Sequence, residues 1–230
     1  MHRFQNPHSD QLAGPAADDD LIAFFVSHTP YNPSVWTLYS YDRHDAVLRR
    51  ITENPGGRDK PVDGPFAQTV LAHGDVYWKE GRKPDLTVVK RWDPRSGAVA
   101  TVRVGHGGQL FSYGGELYWL ESLHPDETTT LVHLTAGSAQ IPQAVANALS
   151  GAISVGADGN DLAWSADNYK TIWRWDGAAS QPRLVYRMGD LENGWDVHPA
   201  GSWVVWGTSA DPVLTTSLLS TKSLPEVRSC

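Results

Sequence analysis

The sequence predicts an all-β fold, a β-propeller built of four-stranded blades, and three observations carry that expectation. An aromatic anchor recurs at a nearly fixed interval, short stretches of period-two alternation surround each anchor, and Asp/Gly/Pro turns separate the stretches. Five blades are expected, with a partial ring as the alternative reading of the same repeats.

The anchors come first. GDVYWKE (74–80), GELYWLE (115–121), NDLAWSA (160–166) and SWVVWGT (202–208) share one layout: a turn, an apolar alternation, a Trp and a polar exit. Their tryptophans, Trp78, Trp119, Trp164 and Trp206, are 41, 45 and 42 residues apart. DLIAFFVS (20–27) fits the same slot with Phe24 or Phe25 in place of Trp. A sheet that is apolar on both faces must be covered on both. One large aromatic repeated at one position, able to bury about 150–250 Å², therefore reads as filler between neighbouring sheets.

A second strand follows each anchor, in TLYSYD (37–42), TVVKRWD (87–93), TTLVHLT (129–135), TIWRWD (171–176) and TTSLLST (215–221). Each alternates apolar with polar residues and is rich in Thr, Val, Trp and Tyr, the pattern of a half-buried strand. Turns such as Asp93-Pro94-Arg95-Ser96-Gly97 and Asp176-Gly177 then reverse the chain. A third strand is read in VLRRIT (47–52), AVATVRV (98–104), PRLVYRM (182–188) and LPEVR (224–228). The strand before each anchor is read in FAQTVLA (66–72), QLFSY (109–113), AISVG (152–156) and WDVH (195–198). Helical periodicity is confined to IPQAVANALS (141–150), enough for a turn or two. The expected organisation is a polar tail over 1–18 and one propeller over 19–230. Its units are about 19–60, 61–105, 106–148, 149–189 and 190–230.

Composition bounds the function. The 230 residues carry a formal net charge of −7, which argues against a nucleic-acid partner needing clustered Lys and Arg. No apolar run is long enough for a membrane-spanning helix, so no membrane partner is expected. Cys230 is the one cysteine, which rules out an internal disulfide and a Cys-based zinc site. The polar start MHRFQNPHSDQLAGPAADDD is unlike a secretory signal, so a cytoplasmic location is expected, or an extracytoplasmic one if the chain is cut from a longer precursor.

On these residues the chain resembles the TolB-type propeller repeat, in which Ser-Pro-Asp-Gly precedes an apolar strand, a Phe or Trp, a loop, a strand ending in Asp, a turn and Arg-x-Leu-Thr. WDVHPAGSWVVW (195–206) and ISVGADGNDLAW (153–164) resemble its opening. DLIAFFVS with LYSYD (38–42) and LRRIT (48–52) resembles the remainder. The opening box departs from the pattern, reading His198-Pro199-Ala200-Gly201 in one unit and Gly156-Ala157-Asp158-Gly159 in another. It shrinks to Ala72-His73-Gly74-Asp75 and Tyr113-Gly114-Gly115 elsewhere. The Tyr-Trp pairs at 77–78 and 118–119 are similar to those of the low-density-lipoprotein-receptor (YWTD) class of propeller. Arg-Trp-Asp at 91–93 and 174–176 is similar to the WD repeat without its Gly-His partner. The resemblance implies a binding platform in most cases and an enzyme in some, a choice that fold alone does not make.

Parity of the strands puts the longer loops at one end of the blades: 27–35, 80–86, 121–128, 165–170 and 208–213, with the crossovers 104–109 and 188–194. Long loops on a rigid scaffold are where binding resides. The candidate ligand-binding residues there are His28, Tyr31, Lys83, Asp167, Tyr169, Lys170 and Glu192. The candidate catalytic residues are His106, His124, Asp126 and Glu127, a His with nearby carboxylates being the pattern of general-base chemistry. His133 sits on a strand where two other units carry Trp and reads as a packed core histidine. There is no Gly-x-Ser-x-Gly elbow, Gly-Lys-Ser/Thr loop or His-Glu-x-x-His pair. The expected function is thus a non-enzymatic scaffold that recognises a protein, peptide or glycan through its loop-rich face, with no cofactor and no metal. The alternative is a propeller hydrolase or lyase with a His/carboxylate site at the channel mouth, where a divalent metal would have a place.

Overall fold

The computed structural model of the protein describes residues 11–27, 35–54, 68–83, 86–122, 129–135, 137–190, 192–210 and 213–220. They form five antiparallel sheets in which sequence neighbours pair, the meander of a propeller blade. The first sheet holds β1 (Gln11–Ala17), β2 (Leu21–Ser27), β3 (Trp36–Asp42) and β4 (Val47–Asn54). The second holds β5 (Thr69–Ala72), β6 (Asp75–Lys83), β7 (Leu86–Trp92) and β8 (Val99–Gly105). The third has β9 (Gln109–Tyr113), β10 (Glu116–Glu121) and β11 (Thr130–His133), followed by the helix α1 (Gln143–Leu149). The fourth has β12 (Ser154–Asp158), β13 (Asp161–Ala166), β14 (Thr171–Trp175) and β15 (Arg183–Arg187). The fifth has β16 (Glu192–Ala200), β17 (Trp203–Ala210) and β18 (Val213–Ser220). The chain divides into two compact units, Met1–Leu110 and Phe111–Cys230.

Two expectations are corrected here. Within the stretch expected as a tail over 1–18, Gln11–Ala17 pair with β2 as an inner strand. Gly14 and Pro15 make QLAGPAA a poor strand on paper. The chain absorbs them in a bulge between Ala13 and Ala16, where Gly14 takes a left-handed φ of 53°. Among the described residues the third sheet has three strands where a four-stranded blade was expected, and α1 follows within 141–150, the segment read as helical. QAVANAL holds three Ala with Gln and Leu, good helix formers, and Pro142 sits immediately before its first turn. No side chain caps the N-terminus of this short helix; Ser150 Oγ donates to the Asn147 carbonyl at its other end, and packing holds it, with Val145 and Leu149 fully buried. The expected strand LPEVR (224–228) lies outside the described residues.

The anchors pack between sheets. Trp78, Trp119 and Phe25 are inaccessible to solvent, and Trp164 and Trp206 nearly so. In the first unit Trp78, Val76 and Trp92 of the second sheet share one apolar cluster with Phe25, Trp36 and Leu38 of the first. In the second unit Trp164 and Trp175 cluster with Phe111 and Tyr118 of the third sheet and with Val145 and Leu149 of α1. Trp206, Val197 and Val204 cluster with Ala163 and Ile172 of the fourth sheet. Each of these three anchors therefore fills the space toward the preceding sheet, and rings meet across the seams. Tyr113 lies 5.2 Å from Trp175, and Tyr186 lies 5.4 Å from Trp206, centroid to centroid.

Polar contacts between inner strands add register to this packing. Thr69 Oγ1 donates to the carbonyls of Gly14 and Ala23, linking the first two sheets. On β12, Ser154 and Asp158 accept bonds from the backbone N–H groups of Val197 and Gly201. Between them Gly156 lets the two backbones approach so closely that a Cβ there would lie 2.1 Å from the Val197 carbonyl oxygen. The tight turn His73-Gly74, with φ of 53° and 76°, has the double left-handed geometry that a two-residue hairpin requires.

Candidate functional site

At the turn end of the blades, a carboxylate three residues before the anchor pairs with a base on the next strand. Asp75 meets Arg91 at 2.5 Å, Asp161 meets Arg174 at 2.5 Å, and Glu116 faces His133 at 3.4 Å. Each base lies opposite the residue just before the anchor, namely Tyr77, Ala163 and Tyr118. The Arg-Trp-Asp runs are thus explained by strand parity: Trp92 and Trp175 point into apolar clusters while Arg91 and Arg174 turn to carboxylates. The core position expected for His133 is corrected. The residue lies at the surface, its ring stacked on Tyr118 at 4.5 Å. These pairs staple strands within a blade.

The loop end holds the candidate site. The hairpin joining β13 to β14 carries Asp167, Asn168 and Tyr169 in succession with φ of 51°, 55° and 66°. Three left-handed non-glycine residues in a row cost free energy at each position, least at Asp and Asn. Hydrogen bonds hold the turn: Lys170 N donates to the carbonyls of Ala166 and Asp167, and Thr171 Oγ1 donates to Asp167 at 2.8 Å. The crossover leading to β16 and the start of that strand dock on this hairpin, with Gly194 N donating to Tyr169 O and Met188 N to Lys170 O. The Lys170 ammonium donates to three carbonyls of that crossover, those of Gly189, Asp190 and Glu192. The Glu192 carboxylate accepts from Gly189 N.

The structure therefore brings together four of the expected residues, Asp167, Tyr169, Lys170 and Glu192, in one locked hairpin-and-crossover surface. His106 lies half-buried in the crossover between β8 and β9. Lys83 ends β6, and its side chain lies outside the described residues, as do His28, Tyr31, His124, Asp126 and Glu127 altogether. Among the described residues no group of three or more His, Cys, Asp or Glu is placed to hold a metal ion.

Sequence reasoning missed a second polar cluster, in the first unit. Gln68, just before β5, accepts a bond from Leu110 N at 2.9 Å and bonds Gln109 through its amide NH2. Beside this pair the Lys79 amine donates to the Gly108 carbonyl. Burial pushes the Lys79 amine down to about 8, since desolvation disfavours its charged form. On the opposite face of β6, Glu80 is buried and committed: it accepts from Trp78 Nε1 at 2.9 Å and pairs with Lys90 at 2.9 Å. The signal for Lys79 was present in the repeat. The residue after the anchor is Val26, Leu120, Ser165 or Gly207 in the other units, so a lysine there is an exception.

No family model matches the chain, and no curated protein matches it by sequence. Solved structures do. TolB from Acinetobacter baumannii superposes with a TM-score of 0.61 at 14% identity, over 92% of this chain and 52% of that one. The tricorn protease gives 0.60 at 12% identity, over 94% of this chain and 22% of that one. A nidogen/laminin complex gives 0.57 at 11%, over 87% and 75%. The chain thus spans about half the length of the TolB structure it matches. What these likenesses share with the Trp-anchored meander described above is the fold: the chain has a β-propeller fold similar to that of TolB.

Proposed function

We propose that the chain is a non-enzymatic scaffold that recognises a protein, peptide or glycan through the loop end of its blades, a protein being the first choice. The observation that carries this reading is the use made of the polar side chains there. Lys170 is taken up by three carbonyls and Asp167 by Thr171, so both side chains rigidify the surface. Asp167, Asn168, Gly189 and Asp190 are exposed on that surface. Preorganised loops lose little conformational entropy when a partner docks, which suits recognition. The nidogen of the comparison is seen in complex with laminin, and a protein partner here follows that precedent. The test is capture on protein, peptide and glycan arrays by the wild type and by Asp190→Arg, whose substitution leaves the locking bonds through backbone atoms in place. Selective capture lost in the variant supports the reading. No capture, together with turnover of a small substrate in a hydrolase and lyase panel, overturns it.

A further inference from the structure

The outer edge of the fourth sheet carries positive charge without a counter-charge among the described residues. β15 is the last strand of that sheet, and no described strand pairs with its other side. Its sequence, RLVYR, holds two arginines and no acid, in a chain whose net charge is −7. Arg183, Tyr186 and Arg187 are all exposed. The register sets Arg183 directly opposite Arg174, a like-charge pair that costs free energy. The acids of the neighbouring strands and turns are committed elsewhere: Asp161 to Arg174, Asp167 to Thr171, and Asp176 to the N–H groups of Ala178 and Ala179. Lys170, the other cation nearby, is taken up by carbonyls. Neither Arg183 nor Arg187 has an ion pair or side-chain hydrogen bond among the described residues. On β4, the outer strand of the first sheet, Arg50 by contrast pairs with Glu53 at 2.8 Å.

The backbone of the edge has a direction as well. Met188 N donates to Lys170 O, so the residue before it, Arg187, turns its own N–H and C=O to the open side. Val185 is the extra residue of a bulge and packs into the apolar cluster with Ile172 and Trp206. Arg183 and Arg187 therefore leave the edge on opposite faces. The first shares the face of Arg174 and Ile172, the second that of Thr171 and Trp173. Tyr186, its ring held 5.4 Å from Trp206, adds a fixed apolar contact. We propose that this edge binds an acidic polypeptide segment as an added strand. The segment's backbone pairs with Arg187, and its carboxylates meet the two guanidiniums. Because strand side chains alternate, carboxylates on opposite faces stand an odd number of residues apart. Thr171 and Arg174, which oppose the same two arginines on β14, are three apart, so the motif is Glu-x-x-Glu among apolar residues. Edge charges also keep stray strands away, but that role gains nothing from setting one arginine against another. The edge is a second surface, so the proposal goes beyond the loop-end reading and does not depend on it.

The test is fluorescence anisotropy of a labelled peptide, Val-Glu-Val-Thr-Glu-Val, with the full chain. Two comparison peptides go with it. Val-Glu-Val-Glu-Thr-Val has the same composition with its carboxylates on one face, and the other is the first peptide N-methylated at Thr, which removes a backbone donor. The first peptide should bind, more weakly as salt rises, and each comparison peptide should bind about threefold more weakly or worse. Arg183→Gln with Arg187→Gln should weaken binding by about tenfold or more. Arg183→Gln alone should melt no lower than the wild type, since it relieves the repulsion from Arg174, whereas a structural arginine would be missed. Thermal melts by circular dichroism establish that each variant folds. No binding of the first peptide, equal binding of all three, or an affinity unchanged in the double variant overturns the proposal. A sulfated oligosaccharide that binds the same arginines more tightly than the peptide also overturns it and assigns the edge to a glycan. Array capture at the loop end is read separately, so either result can fail alone.

Discussion

Replacing Gly156 by alanine tests the seam between the fourth and fifth sheets. The new methyl would lie 2.1 Å from the Val197 carbonyl oxygen and 2.8 Å from His198 Cα, both backbone atoms that cannot turn aside. Relief requires β12 and β16 to separate by about 1 Å, since an unstrained contact needs about 3 Å or more. The bonds from Val197 N to Ser154 and from Gly201 N to Asp158 are already 3.3 Å long and would break. Overpacking costs about 1–3 kcal/mol and each lost bond about 0.5–1.5 kcal/mol, so the expected loss is about 3 kcal/mol. For a chain of this size that lowers Tm by about 6–12 °C. Gly151→Ala is the control: nothing lies within 4 Å of its Cβ position, and its stability should match or slightly exceed the wild type. Urea and thermal unfolding followed by far-UV circular dichroism read both. If the two variants unfold within about 0.5 kcal/mol of each other, the close approach of the inner strands is wrong.

Three further outcomes follow from the same geometry. Asp161→Asn removes the carboxylate from a buried guanidinium that keeps its bond to the Gly201 carbonyl, whereas Asp75→Asn removes the carboxylate from a half-exposed one. The first should cost about 2–4 kcal/mol and the second under about 1 kcal/mol in urea unfolding, and equal losses would refute the burial argument. Asn168 is exposed with a φ of 55°, so Asn168→Ala should be about 1 kcal/mol less stable than Asn168→Gly, and equal Tm values would remove the left-handed turn. His198, crowded by the backbone at Gly156, titrates below its ordinary range because desolvation outweighs the nearby Asp196 carboxylate. The unfolded chain then binds the proton more readily. Stability at neutral pH is therefore full and declines as pH falls from about 6.5 through the lower folded value. His198→Gln should flatten that acid-side slope of Tm, and an unchanged slope would exclude His198 as its source.

Much of the fold was legible because it repeats. The spacing of Trp78, Trp119, Trp164 and Trp206 located the second strand of four blades, and QLFSY (109–113) coincides with β9. The inner strand of the first sheet reads poorly where Gly14 and Pro15 mask it, because a bulge is a tertiary accommodation that local propensity does not register. The helix after the third sheet was legible in the helical pattern of 141–150, although blades of four strands were expected throughout. The site was less legible. Asp167, Lys170 and Glu192 could be placed near one another from loop parity alone. That Lys170 would be spent on carbonyls depends on backbone directions no spacing encodes. Lys79 was hidden for another reason: a lysine on an alternating strand reads as solvated until the neighbouring crossover is seen to cover it.

The central claim is that aromatic rings bind neighbouring blades together, and a double-mutant cycle on Tyr113 and Trp175 tests it most directly. The two rings belong to different sheets, β9 and β14, and lie 5.2 Å apart at an interplanar angle of 32°. Tyr113→Leu, Trp175→Leu and the double variant, compared by urea unfolding, should show a coupling of about 0.5–1.5 kcal/mol. Strictly additive losses would mean that the rings do not meet, and the inter-blade packing described above would be contradicted.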